Sequence, residues 1–171
     1  GTIIANEDAF IEKNLNLAGY KSNPLEDDSL AGYKLIKVPV TRATNNAVKE
    51  MGLTAKEANR CKNFYALGIT YWLYDRPLEI TMSWLENKFS KTPAIAEANI
   101  RALKAGFYFG ETAEIFTTRY KVAPAHLPKG TYRNITGNHA AALGILAASL
   151  KSGLPLFLGS YPITPASDIL H

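Results

Sequence analysis

The stretch NHAAALGILAASLKSGLPLFLGSYPITP, from Asn138 to Pro165, decides the fold class. Asn138 is read as an N-cap, because its side chain can accept a hydrogen bond from a first-turn backbone N–H. Ala140, Ala141, Ala142, Gly144, Ala147 and Ala148 then make a helix of small residues, a face that another backbone can approach closely. Lys151-Ser152-Gly153 ends it. Leu154 to Leu158 is short, apolar and bounded by turn residues, which is the pattern of a buried strand. Gly159 to Pro165 is a loop stiffened by Pro162 and Pro165, and Pro165 reads as the first residue of a further helix. Helix, buried strand and loop into a helix N-terminus make an α/β unit, and in such sheets ligands sit beyond the carboxyl ends of the strands.

Working outward, residues 110–137 show no periodicity and carry Pro124, Pro128, Gly130 and Gly137. A linker over 113–135 therefore separates a C-terminal domain, 136–171, from an N-terminal one, 1–112. In the latter, Thr2–Ala5 reads as a strand, and Asp8 is placed to cap a helix running to Leu17. Residues 19–31 are a loop, Tyr33–Val40 a strand closed near Pro39, and Thr41–Met51 a helix. Thr54-Ala-Lys-Glu57 is a capping box that launches a helix through Cys61, Tyr65 and Trp72, interrupted only at Gly68. Pro77 suits the first turn of the next helix, and Thr92-Pro93 repeats that start signal for a helix through Ile100 and Phe107. Trp72 and Trp84, amid Tyr71, Tyr74 and Phe89, form an aromatic stripe read as core.

The 171 residues are 47% hydrophobic and 20% charged, enough apolar material for a core and too much for a disordered or fibrous chain. No apolar run is long enough to span a bilayer. The lone Cys61 leaves this chain no internal disulfide, and no iron–sulfur cluster or Cys-rich zinc site of its own. It reads as a small buried hydrophobe in an intracellular, reducing compartment. His126, His139 and His171 are too far apart to form a recognisable metal motif. There is no dinucleotide fingerprint, phosphate loop, nucleophile elbow or zinc-protease motif. The net charge of +4 is uneven: residues 1–112 carry 14 basic against 13 acidic side chains, residues 113–171 five against two. Arg119, Lys121, Lys129 and Arg133, with Glu114 nearby, are four spaced cations; they fit a solvated linker, or a small anion or acidic surface, better than a duplex.

Thr164 stands apart. Pro162 and Pro165 fix two backbone angles and bias their predecessors to extended geometry, so Thr164 is presented with little freedom. One reading is that its hydroxyl caps the helix that follows. The other is that it faces an anionic or carbonyl ligand at that helix N-terminus.

Arg133-Asn-Ile-Thr-Gly-Asn138, the small-residue helix, and Leu156-Phe-Leu-Gly-Ser-Tyr-Pro-Ile-Thr-Pro-Ala-Ser-Asp-Ile-Leu-His171 together resemble the alpha subunits of 2-oxoacid:ferredoxin oxidoreductases. Upstream, Lys62-Asn-Phe-Tyr-Ala-Leu-Gly68, Trp72-Leu-Tyr-Asp-Arg-Pro77 and Ala96-Glu-Ala-Asn-Ile-Arg-Ala-Leu-Lys-Ala-Gly106 look like the later, helix-rich half of the gamma-type domain fused ahead of that alpha domain. The resemblance implies an α/β fold: a partial gamma-type domain over 1–112, then the start of a thiamine-diphosphate-binding, pyrimidine-type domain over 136–171. It is nearest to the subclass acting on 2-oxoglutarate.

The family couples oxidative decarboxylation of a 2-oxoacid with coenzyme A to ferredoxin reduction, thiamine diphosphate supplying the electron sink. What carries over is narrow. Tyr161, Pro162, Ile163, Thr164 and Pro165 are implied as cofactor- and substrate-binding residues, with Thr164 as the catalytic one. Mg2+ and the iron–sulfur cluster are implied on partner chains, chiefly a beta subunit, and the location is cytoplasmic, with neither membrane nor nucleic acid as partner. Gly1-Thr-Ile-Ile-Ala5 reads as the middle of a strand, and the chain stops about one turn into a helix, so both ends read as interior cuts and the chain as inactive alone. The competing reading is a helical module whose aromatic helices and basic linker bind a protein or nucleic acid.

Overall fold

The computed structural model describes residues 1–113, 116, 118–159, 161 and 163–170. The chain divides into two compact units, Gly1–Pro124 and Ala125–His171. In the first, strand β1 (Thr2–Asn6) lies parallel to β2 (Lys34–Val38), in register from Thr2 opposite Lys34 to Asn6 opposite Val38. The crossover between them holds a 3-10 turn (Glu7–Ala9) and a short helix, α1 (Glu12–Leu17). Ile36 and Val38, two residues apart and so on one face of β2, are both buried. Five helices follow: α2 (Val40–Val48), α3 (Ala55–Arg60), α4 (Lys62–Leu73), α5 (Glu79–Lys88) and α6 (Pro93–Thr112). A helix-rich unit with a small parallel sheet is consistent with the α/β class.

The N-terminus of α2 follows Pro39, which has no side chain able to cap it. Its orphaned N–H groups are satisfied from the end of β1 instead. Thr41 N–H bonds Asn6 Oδ1 at 3.4 Å, while the Asn6 amide donates to Thr41 Oγ1 at 3.0 Å. Arg42 N–H bonds Asp8 Oδ2 at 2.8 Å, and its guanidinium reaches Asp8 Oδ1 at 2.5 Å and Glu7 Oε1 at 2.6 Å. Asp8 therefore does not start the helix expected to reach Leu17. Its carboxylate is committed to α2, and α1 begins at Glu12 with no side-chain cap.

The capping box at α3 forms as read: Glu57 N–H donates to Thr54 Oγ1 at 3.3 Å, and Thr54 N–H to Glu57 Oε2 at 2.9 Å. The helix does not run on to Trp72, however. It breaks at Cys61, whose N–H bonds the Ala58 carbonyl three residues back, the tighter 3-10 pattern. It does not break at Gly68.

Gly68 instead lies buried in α4 where that helix crosses α6. A Cβ on Gly68 would sit 2.0 Å from the Leu103 carbonyl oxygen, and one on Gly106 would sit 1.9 Å from the Tyr65 oxygen. One on Gly110 would meet the Trp72 ring at 2.9 Å. On α6 the buried small residues Ala98, Ala102, Gly106 and Gly110 recur every fourth position, one ridge of the helix. Tyr65, Ile69 and Trp72 of α4 and Val38, Val40 and Val48 complete the core around it. Trp72 is core as expected, stacking obliquely on Phe116 at 5.4 Å. Trp84 is not: nearly half exposed, it carries the Lys88 ammonium 4.4 Å over its ring. Pro77 lies outside α5, which starts at Glu79.

In the second unit, Ala125 to Ile135 form neither helix nor strand. Then comes α7 (Gly137–Ser152), closed by Gly153 in the left-handed conformation at φ 68°, the usual role of a glycine at a helix end. The N-cap is Thr136, whose Oγ1 accepts the His139 N–H at 3.2 Å, and not Asn138. The strand expected at Leu154–Leu158 is absent, because a strand exists only through its ladder and no described residue pairs with this one. A 3-10 turn (Ala166–Leu170) ends the described chain.

Gly68→Ala is expected to destabilise the chain by about 3 kcal/mol, since two backbones must part to admit the methyl group. Gly144→Ala, where a Cβ meets nothing within 4 Å, is expected to be neutral or stabilising. Urea unfolding of the two variants checks this. Burial pushes the Tyr65 phenol up to about 12. Its neutral form is thus favoured in the fold, a contribution fully present below the unfolded value near 10 and lost as pH rises toward 12. The thermal midpoint is expected to fall across that window, and less steeply in Tyr65→Phe.

Candidate functional site

Thr164 lies among residues exposed to solvent, and the Asn138 side chain joins them to α7. Tyr161, Ile163, Thr164 and Pro165 are all exposed; Pro162 lies outside the described residues, as do Ser160 and His171. The Thr164–Pro165 peptide is cis. Ile163 N–H bonds the Tyr161 carbonyl at 2.7 Å, Ser167 N–H the Ile163 carbonyl at 3.2 Å, and Asp168 N–H the Pro165 carbonyl at 3.2 Å. Pro165 precedes the turn that begins at Ala166, rather than opening a helix.

Thr164 does not spend its hydroxyl on a cap: it makes no hydrogen bond among the described residues, and Ser167 N–H is taken by Ile163. Its hydrogen-bonding capacity is open to a ligand. Asn138, read from the sequence as a cap, does something else. Its Nδ2 donates to the Pro165 carbonyl at 2.8 Å, fastening the first turn of α7 to the far side of the loop. No sequence signal announces this bond across 27 positions.

Among the described residues of the loop and the turn after it, Asp168 is the one Asp, Glu, Lys, Arg or His. The donor set therefore suits contact with a carbonyl, hydroxyl or ring edge, and no described side chain of the loop brings a positive charge to a diphosphate. Among the described residues no group of three His, Cys, Asp or Glu could hold a metal, and no helix is long and apolar enough to cross a membrane. Of the four spaced cations, Arg119 is committed to the C-terminal end of α4: its Nε donates to the Trp72 carbonyl at 3.1 Å and its Nη2 to Asp75 at 2.8 Å. Lys121, Lys129 and Arg133 are exposed and form no ion pair among the described residues, and Glu114 lies outside them.

Two of the clefts in the first unit are lined by residues already described. One, of about 310 Å3, opens at the carboxyl end of β1 between Ile4, Asn6, Val40, Lys62, Ala66 and Thr70. The other, of about 330 Å3, is lined by Glu57, Arg60, Cys61, Phe64, Thr92 and Asn99. Cys61 is 1% exposed, and its thiol donates to the Glu57 carbonyl at 3.5 Å. Burial first, and the Glu57 charge second, push the thiol above its ordinary value, away from nucleophilic reactivity.

Over all 171 residues the chain is 50% identical to the 2-oxoglutarate oxidoreductase subunit KorA of Mycobacterium tuberculosis, strain H37Rv. The match covers 100% of this chain and 26% of that protein, so the chain spans about a quarter of the length of the curated relative it matches. No protein-family model and no solved structure matches.

The Cys61 environment predicts slow chemistry. Alkylation by iodoacetamide at pH 8 is expected to be at least about tenfold slower in the native chain than in urea, followed by mass spectrometry, because the buried thiol rarely ionises.

Proposed function

Because all 171 residues are homologous to a 2-oxoglutarate oxidoreductase subunit, we propose that this chain forms part of the alpha subunit of an enzyme that oxidatively decarboxylates a 2-oxoacid, 2-oxoglutarate first among them. Coenzyme A takes the acyl group and ferredoxin the electrons, in the cytoplasm. The observation that carries this is the whole-length identity, which leaves no segment without a counterpart. In this reading residues 1–112 belong to a gamma-type domain and 136–171 to the start of the alpha domain. A beta subunit brings the metal–diphosphate site, and the iron–sulfur cluster sits on partner chains. Thiamine diphosphate, when bound, supplies the nucleophilic carbon and the electron sink.

This chain's share of the work is positioning. Tyr161, Pro162, Ile163, Thr164 and Pro165 form the contact surface for the reacting end of the site. The Thr164 hydroxyl hydrogen-bonds a polar atom of the substrate, and the flanking prolines remove the entropy that a free loop would lose on binding. Support comes from the exposure of Thr164 and, among the described residues, from its unspent hydroxyl and the absence of a Lys, Arg, Asp or Glu in the loop itself. In this reading the loop binds and orients, and it moves no proton.

In the complete enzyme, Thr164→Ser is expected to keep most activity, because the hydroxyl survives. Thr164→Val keeps the shape without the hydroxyl and is expected to lower kcat/KM by roughly 10- to 1000-fold, the order for one preorganised polar contact. Steady-state kinetics and thermal unfolding on the same preparations decide the matter. A valine variant as active as wild type would remove the Thr164 hydroxyl from the site, whatever its stability.

A further inference from the structure

Asn138 occupies the first turn of α7, one residue beyond Gly137, where an asparagine has no structural duty to the helix: the cap is already made by Thr136. Its side chain turns away from the helix, and Nδ2 lies 2.8 Å from the Pro165 carbonyl oxygen. The same oxygen accepts the Asp168 N–H at 3.2 Å, so its two lone pairs are both engaged. That carbonyl belongs to the residue immediately after Thr164. The loop thus has one end led in by the chain after α7 and the other bonded directly to the start of that helix, the longest element of its unit.

We propose that Asn138 is a positioning residue: its amide holds the Pro165 carbonyl, and thereby the backbone that presents the Thr164 hydroxyl, against the N-terminus of α7. The proposal rests on the role given above to Thr164 and adds to it a second residue, 26 positions earlier in the chain, that never touches the substrate. The chemistry requires a side-chain donor at this position. Aspartate has the same shape and offers only acceptors, so it replaces the bond with repulsion between two oxygens. For the helix alone the order is reversed, because a carboxylate in the first turn favours the α-helix. A role in helix stability and a role in loop positioning therefore rank the same substitutions in opposite order.

The test uses the full-length subunit assembled with its partner, in the variants Asn138→Asp, Asn138→Ala, Thr164→Val and the double variant Asn138→Asp with Thr164→Val. Asn138→Asp is expected to lower kcat/KM about tenfold, the scale of a small misplacement of a binding group, and to be worse than Asn138→Ala while leaving the thermal midpoint at or above wild type. In the Thr164→Val background the same change is expected to cost less than about twofold, because the hydroxyl it positions is gone. In the cofactor-free subunit, hydrogen exchange at the Asp168 amide is expected to accelerate in both Asn138 variants. Full additivity of the two substitutions, an aspartate variant as active as wild type, or unchanged exchange at Asp168 would each overturn the proposal while leaving the Thr164 role intact. A silent Thr164→Val fails the Thr164 reading itself, and the proposal with it.

Discussion

Two polypeptide backbones touch where α4 crosses α6, and the first unit is arranged around that contact. With hydrogens in place of side chains at Gly68 and Gly106, the Leu103 and Tyr65 carbonyls come within a distance no Cβ could tolerate. Close approach multiplies dispersion contacts along the crossing and draws Tyr65, Ile69 and Trp72 against Ala98 and Ala102. Trp72, seated over Gly110, in turn receives Phe116 on its ring and the Arg119 guanidinium 5.1 Å from its centroid. Arg119 closes the end of α4 by taking the Trp72 carbonyl, and Tyr120 N–H takes that of Leu73 at 2.7 Å. The segment after α6 is thus pinned back onto α4 by consequences of one glycine pair.

What was legible in the sequence was local. The Thr54–Glu57 capping box, the Thr92-Pro93 start of α6 and the buried thiol of Cys61 depend on neighbours a few residues away, and each forms as read. The misreadings involve partners that no local pattern contains. Gly68 looked like a break because glycine is a poor helix former, but its helical conformation is stabilised by a partner 35 or more residues on. Asp8 looked like a cap for the helix after it, and it does cap a helix, the one 34 positions later. Leu154–Leu158 has the composition of a buried strand, and composition cannot supply a ladder.

The candidate site divides the same way. Tyr161 to Pro165 could be singled out because proline restricts its own φ and its predecessor's backbone, effects written in the sequence itself. Asn138 has the chemistry of a cap, but so does Thr136 two residues earlier, and only the fold decides between them. Physical chemistry alone leaves Thr164 between two roles, a cap and a ligand contact.

The polar clasp between β1 and α2 bears on what the first unit can bind. In parallel α/β folds the gap between a strand's carboxyl end and a helix N-terminus is where phosphates commonly lodge, drawn by free N–H groups and the positive end of the helix dipole. Here the gap is furnished from within: the Asp8 carboxylate already sits on the Arg42 N–H, with Glu7 beside it on the guanidinium. The unit carries its own counter-anion. A nucleotide or phosphate arriving there would meet two carboxylates and no vacant backbone N–H at Thr41 or Arg42, so the helix end that topology offers to an anion is already occupied from within.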